Sequence, residues 1–177
     1  IDAFVSREQQ RRPGTPASTD LLTMADALDA LAAVDLVIEA VWENQALKEQ
    51  LLAQLDAITP AGCILATNTS SIDVNVLAKA TSRPERVLGL HFFSPAHVMR
   101  LVEVVRGTRT DADVLASALD LVRRIGKIPV VVGVCHGFVG NRILMARNAQ
   151  ADALLLEGAL PEQVDRVVRE FGLAMGP

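Results

Sequence analysis

Asp35-Leu36-Val37-Ile38-Glu39-Ala40-Val41 is a short apolar run of strand type, and the segment after it has helical spacing. In that segment Leu47, Leu51, Leu55 and Ile58 recur near every 3.6 residues, and Pro60 ends the helix by disfavouring helical backbone at Thr59. The alternation then repeats. Cys63-Ile64-Leu65-Ala66-Thr67 reads as a second strand, Asp73 to Ala80 as a short helix, and Val87-Leu88-Gly89-Leu90-His91 as a third strand. These runs are nearly continuous in apolar residues, the pattern of strands buried on both faces. Strand and helix in turn predict an α/β fold with a doubly wound, mostly parallel sheet.

Leu101-Val102-Glu103-Val104-Val105 continues the pattern, followed by a helix from about Asp111 to Ile125 with Gly126 just past its end, and by a fifth strand over Ile128 to Val134. After Gly137 the strand signal disappears. Phe138 to Glu157 reads as one long helix stopped at Gly158, and Pro161 opens another with Val164, Val167, Val168 and Phe171 on one face. The expected division is therefore a sheet domain over residues 1–134 and the start of a helical domain over residues 135–177. Upstream, residues 9–19 are polar with two Pro and one Gly and read as a loop.

Composition narrows the function classes. The 177 residues carry 17 Lys plus Arg against 21 Asp plus Glu, and 3% are aromatic. Nucleic acid is not expected as a partner, because phosphate contacts need a basic excess and single strands need stacking platforms. Cys63 and Cys135 lie in apolar runs with no ligand-spaced neighbour, which predicts no metal site and a reducing compartment. No run approaches the roughly 18 apolar residues of a membrane span, and no basic start precedes a secretory core, so no membrane partner is expected. Asn68-Thr69-Ser70 then reads as turn chemistry, not as a glycosylation acceptor. The opening Ile1 and closing Gly176-Pro177 read as an internal piece of a longer protein. Arg outnumbers Lys 14 to 3, which points to a GC-rich bacterial source and a cytoplasmic location.

Ligands of an open parallel sheet bind outside the carboxyl ends of its strands. There the sequence is polar: Trp42-Glu43-Asn44 after the first run, Asn68-Thr69-Ser70-Ser71 after the second, and His91 leading to Phe92-Phe93-Ser94-Pro95 after the third. Each has a structural alternative: Glu43 or Asn44 as helix cap, Asn68 to Ser71 as turn chemistry, His91 as a satisfied core histidine. Glu103 sits on the same strand face as Leu101 and Val105, and a carboxylate out of water requires a partner. His91, twelve residues earlier across the Ser94-Pro95 turn, is the candidate, and a histidine held by a carboxylate is a tuned general acid/base. The alternative is Glu103 exposed at a sheet edge. Asn141, in the first turns of the long helix after Gly137 and Gly140, could offer an amide to the same crevice; a plain helix start is the alternative. His97 and His136 read as structural or surface residues. With no Tyr in the chain the Tyr-and-Lys site of short-chain dehydrogenases is excluded, and no Gly-x-Gly-x-x-Gly cradle occurs.

Together Asp35 to Asn44, Asn68 to Ser71, Gly89-Leu90-His91-Phe92-Phe93-Ser94-Pro95, Met99 to Val105, Gly137-Phe138-Val139-Gly140-Asn141-Arg142 and the closing Phe171 to Pro177 resemble the L-3-hydroxyacyl-CoA dehydrogenases of fatty acid β-oxidation. The form of the His91 and Gly137 motifs is most similar to the dehydrogenase portion of multifunctional enoyl-CoA hydratase/dehydrogenase enzymes. The resemblance implies a Rossmann-like domain whose first strand and Gly-rich turn lie upstream, followed by the start of a helical domain. It implies NAD as cofactor, an acyl-CoA substrate, dimerisation through the helical domain and a fused or associated hydratase.

Residue by residue, the resemblance implies that His91 exchanges the proton of the substrate's 3-hydroxyl and that Glu103 orients the imidazole and stabilises its protonated form. Ser70 and Asn141 would hydrogen-bond the reacting oxygen or the thioester carbonyl. Glu43, Lys48, Asn68 and Ser70 match cofactor-side positions, and Ser94 stands where many members carry Asn. Because the pyrophosphate cradle would lie upstream, residues 1–177 alone are expected to bind NAD poorly. Two other readings are a related dehydrogenase of a non-CoA hydroxy acid or sugar acid, and a non-catalytic, crystallin-like relative. A eukaryotic source would shift the location to peroxisome or mitochondrial matrix.

Overall fold

Asn44 opens the first helix by accepting the Leu47 amide on its Oδ1 at 3.0 Å, which satisfies one of the amides a helix start leaves free. At the other end, the buried Arg83 guanidinium donates to the Asp56 carbonyl, an acceptor the ending helix leaves open, and to the Thr59 and Pro60 carbonyls of the turn that follows. The computed structural model describes residues 21–177, so the loop expected at residues 9–19 lies outside the described residues. Its elements are β1 (Leu36–Glu39), α1 (Gln45–Ile58), β2 (Ile64–Thr67), α2 (Val74–Ala78), β3 (Val87–Phe92), β4 (Leu101–Arg106), α3 (Ala112–Arg124), β5 (Ile128–Gly133), α4 (Gly140–Leu156) and α5 (Pro161–Glu170).

The five strands form one sheet in the order β1-β2-β3-β4-β5, and every neighbouring pair is parallel except β3 with β4. That exception follows from the connections. Residues 93–100 between β3 and β4 hold no helix, and a short link returns the chain antiparallel, whereas α3 supplies the crossover that makes β4 and β5 parallel. In the antiparallel pair Gly89 faces Val105, Leu90 faces Val104, and His91 stands directly opposite Glu103.

Apolar residues fill both sides of the sheet. On one side Leu52 and Leu55 of α1 and Val74 and Leu77 of α2 pack with Leu65, Val87 and Val105; on the other Val114, Ala118 and Val122 of α3 pack with Ala66, Leu88, Leu90, Val102 and Val104. This is the Rossmann-like, doubly wound arrangement expected from the sequence. The two-sided burial holds for β2, β3 and β4. It fails at the sheet edges, where Ile38 of β1 and Ile128, Val130 and Val131 of β5 are exposed.

The long helix starts at Gly140, two residues later than Phe138. Gly137 and Phe138 both take left-handed backbone, with φ of 69° and 47°, which a right-handed helix cannot include. On α5 Val164 is buried, while Val167 and, just past the helix end, Phe171 of the expected apolar face are exposed. Among the described residues no helix is long and apolar enough to cross a membrane.

Candidate active site

Strand register brings His91 and Glu103 together. His91 Nδ1 donates to Glu103 Oε2 at 2.7 Å, and both side chains are almost fully covered. The other carboxylate oxygen, Oε1, accepts the amides of Val139 and Gly140 at 2.9 and 2.8 Å, at the start of α4. Those amides lack helical partners, and the positive end of the helix dipole favours a carboxylate there. Glu103 therefore has three donors and no need of water. With Nδ1 carrying the proton toward Glu103, the neutral imidazole presents Nε2 as an acceptor. Nε2 bonds to none of the described residues.

The imidazole is enclosed by Phe93, at 4.7 Å between ring centroids, and by the buried Phe138 at 5.8 Å. The close fit explains Gly140: a Cβ there would lie 2.7 Å from Phe93 Cζ and 3.7 Å from Glu103 Oε1. Left-handed backbone at a bulky residue such as Phe138 costs energy and marks a place the surrounding structure holds firmly.

A second polar cluster sits past β1 and β2. Glu43 Oε1 accepts from the Thr69 hydroxyl at 2.6 Å, the Ser70 amide and hydroxyl at 2.8 and 3.1 Å, and the Ser71 amide and hydroxyl at 3.2 and 3.3 Å. Partial burial pushes the Glu43 carboxyl up, but the hydrogen bonds from Thr69 and Ser70 and the Lys48 charge outweigh it and hold Glu43 below the usual glutamate range. The Ser70 carbonyl in turn faces Asn141 Nδ2 at 3.5 Å, so the loop after β2 and the first turn of α4 meet at this point. Asn68 Oδ1 accepts the Phe92 amide at 2.8 Å and ties the end of β2 to the end of β3.

The residues expected at the site thus fall into two groups: His91 with Glu103, and Glu43 with Ser70, which Asn141 touches. Lys48 is buried, its ammonium engaged by Glu39 at 2.6 Å, the Val41 carbonyl at 3.3 Å and Glu43 Oε2 at 3.5 Å. Ser94 is exposed on the β3–β4 connection. Glu43 is not a helix cap; Asn44 is.

Sequence reasoning missed Glu39 and the two aromatic walls. Glu39 is a buried carboxylate in β1 whose signal was a lone charge inside an apolar run, nine residues before Lys48. Phe93 and Phe138 carried no signal, since a fold must first bring them to His91. At the site, His91 Nε2, Asn68 Nδ2 and Asn141 Oδ1 have no bond to the described residues, an acceptor, a donor and an acceptor available to a ligand. Beside them an open groove is lined by Ala40, Val41, Trp42 and Glu43, with Trp42 86% exposed. Among the described residues no group of three or more His, Cys, Asp or Glu could hold a metal ion, and both cysteines are free thiols.

Residues 1–135 match the family described as 3-hydroxyacyl-CoA dehydrogenase, NAD binding domain, and residues 137–177 match that described as 3-hydroxyacyl-CoA dehydrogenase, C-terminal domain. The peroxisomal bifunctional enzyme of Danio rerio is 49% identical over 176 residues, covering 99% of this chain and 24% of that protein. The alpha subunit of the fatty acid oxidation complex of Acinetobacter baylyi is 41% identical over 180 residues, covering 99% of this chain and 25% of that protein. Among solved structures, FadB2 of M. tuberculosis superposes with a TM-score of 0.90 at 36% identity, covering 99% of this chain and 65% of that chain. The chain spans about a quarter of the length of these two curated relatives. With its fold, its motifs in order and both parts matched, the chain belongs to the 3-hydroxyacyl-CoA dehydrogenase family.

Proposed function

We propose that the chain serves NAD-dependent oxidation of (S)-3-hydroxyacyl-CoA to 3-oxoacyl-CoA in fatty acid β-oxidation or a related acyl-CoA pathway. The observation that carries this reading is the covered His91–Glu103 pair, with Nε2 left as an acceptor at the carboxyl end of the sheet. Oxidising a secondary alcohol removes a hydride from carbon and a proton from oxygen. When bound, NAD supplies the hydride acceptor. His91 Nε2 takes the proton of the 3-hydroxyl and returns it in the reverse direction. Glu103 fixes the tautomer and ring orientation, and the two amides at the start of α4 fix Glu103. Ser70 and Asn141 hydrogen-bond the reacting oxygen or the thioester carbonyl.

The crevice fits the nicotinamide and ribose side of a dinucleotide, since Asn68 keeps its amide donor free and Glu43 lies at the groove by Trp42. Glu43 and Asn68 would hold that side, with Lys48 behind Glu43 and Ser94 on the exposed connection. The sequence has no Gly-x-Gly-x-x-Gly, so the pyrophosphate cradle is not among its residues. An acyl-CoA is the substrate in this reading, and an associated or fused hydratase and a homodimer through the helical part are its partners. The domain division at residues 134 and 135 belongs to the same proposal and is supported by the change from strand to helix after Gly133. Relatives include a bacterial subunit and peroxisomal enzymes; the Arg excess favours a bacterial cytoplasm.

The test uses the longest polypeptide that carries the chain and follows NADH absorbance with acetoacetyl-CoA and, separately, with free acetoacetate. Consumption with the thioester alone is expected. Equal rates with both would move the substrate to a non-CoA hydroxy acid, and no consumption with either would overturn the dehydrogenase reading.

A further inference from the structure

Nothing in the proposed chemistry explains the carboxylate of Glu39, fully covered in β1. Its Oε1 accepts the Lys48 ammonium at 2.6 Å and the Val41 amide at 2.7 Å, and its Oε2 accepts the Thr67 hydroxyl at 2.7 Å. Stability alone is a poor reason for such a pair, because well-packed apolar residues commonly replace buried ion pairs at no loss.

The neighbours of Lys48 give a better reason. The ammonium donates to Glu39 and the Val41 carbonyl and pairs with Glu43 Oε2, and Glu39 is much the nearest: 2.6 Å, against 3.3 Å to the Val41 carbonyl and 3.5 Å to Glu43 Oε2. The cation is thereby held on Glu39, while Glu43 engages its Oε1 with Thr69, Ser70 and Ser71. Without the charge at Glu39, the ammonium would have one carboxylate left, that of Glu43. Attraction between charges is strong where water is scarce, so Glu43 would turn toward Lys48. The contacts given up would be the longer ones, to the Ser70 hydroxyl and the Ser71 amide and hydroxyl, at 3.1 to 3.3 Å.

We propose that Glu39 is a positioning residue: by neutralising Lys48 it keeps the Glu43 carboxylate on the loop of residues 69–71, and so fixes Ser70 against Asn141. The chain of contacts runs from a buried strand to the rim of the crevice through named atoms. It rests on the dehydrogenase reading only where it concerns cofactor affinity.

The test substitutes Glu39→Gln, which keeps size and an acceptor but removes the charge, in the longest polypeptide carrying the chain. Amide hydrogen exchange is read over Ser70 to Ile72 and, as control, over β3 and β4. NADH binding is read by titration calorimetry on the same polypeptide. Exchange about tenfold faster at the Ser71 amide, the one loop amide whose bond to Glu43 is given up, with the control strands unchanged is expected, together with NADH binding about tenfold weaker. In turnover the loss should appear in KM for the cofactor more than in kcat. A Glu39→Met, Lys48→Met double variant, which removes both charges and guards against misfolding of the single one, should match Lys48→Met alone in NADH affinity. Unchanged exchange at the loop, or faster exchange spread evenly over the whole sheet, would overturn the proposal. Selective loosening in a protein that binds no NADH even with Glu39 intact would uphold the positioning role and sink the dehydrogenase reading instead.

Discussion

At the scale of single residues, Glu103 is fully occupied: one oxygen on His91, the other on two main-chain amides. Glu103→Gln keeps the shape but not the pattern of donors and acceptors. Its carbonyl can still take the amides of Val139 and Gly140, which turns its NH2 toward Nδ1 and forces the imidazole into the tautomer that carries hydrogen on Nε2. A base with its acceptor already protonated cannot take the substrate's proton. The expected result is a kcat lower by about 10²–10⁴ in a folded protein, checked by steady-state kinetics beside a urea unfolding curve; a kcat within twofold of the unsubstituted protein would refute the role. Gly140→Ala probes the enclosing wall. The new Cβ would meet the end of the half-buried Phe93 ring, which can swing aside, so the stability cost should be only about 1 kcal/mol. Activity should fall severalfold as Phe93 leaves His91, and an unchanged kcat would show that the wall is dispensable.

At the scale of elements, the turn from β5 into α4 is the least ordinary piece of backbone. Phe138 is buried with φ at 47°, so packing and backbone oppose each other there. Phe138→Ala should cost about 3–5 kcal/mol by lost packing, and Phe138→Gly should cost about 1 kcal/mol less than the alanine variant because glycine takes this φ freely. Urea midpoints of the two variants check the order, and glycine below alanine would contradict it. The strands and helices from residue 35 onward were legible because their apolar spacing is set by burial on the two sides of one sheet. Strand direction was not: periodicity is blind to it, so the antiparallel step from β3 to β4 became visible only with the connection that produces it. The pairing of Glu103 with His91 was legible from a different rule, that a covered carboxylate must have a partner. The same rule applied to Glu39, a lone charge inside an apolar run, but nothing in the helical spacing of α1 singled out Lys48 as its partner. The start of α4 was not legible, because left-handed Phe138 leaves no mark in composition.

At the scale of the whole molecule, acid tests the carboxylates. Glu43 and Asp56 both titrate below their ordinary values of 4.5 and 3.8; for Asp56 burial acts upward and is outweighed by the Ser82 amide and Arg83. The folded chain therefore binds fewer protons there than the unfolded chain, so their contribution is complete above the ordinary values and is lost as pH falls through the lowered ones. The urea midpoint should drop as pH falls from about 5 to about 3, and less steeply in Glu43→Gln; an equal drop in both would remove Glu43 from the account. Toward the other end, Leu156, Phe171 and Met175 stand 90%, 86% and 70% exposed, apolar side chains that the proposed dimer would cover. The most direct measurement remains NADH consumption with acetoacetyl-CoA by the longest polypeptide carrying the chain, beside the same protein with His91→Gln. Consumption by the first and a rate lower by about 10²-fold or more in the second is the expected result, while equal rates would contradict the claim that His91 moves the proton.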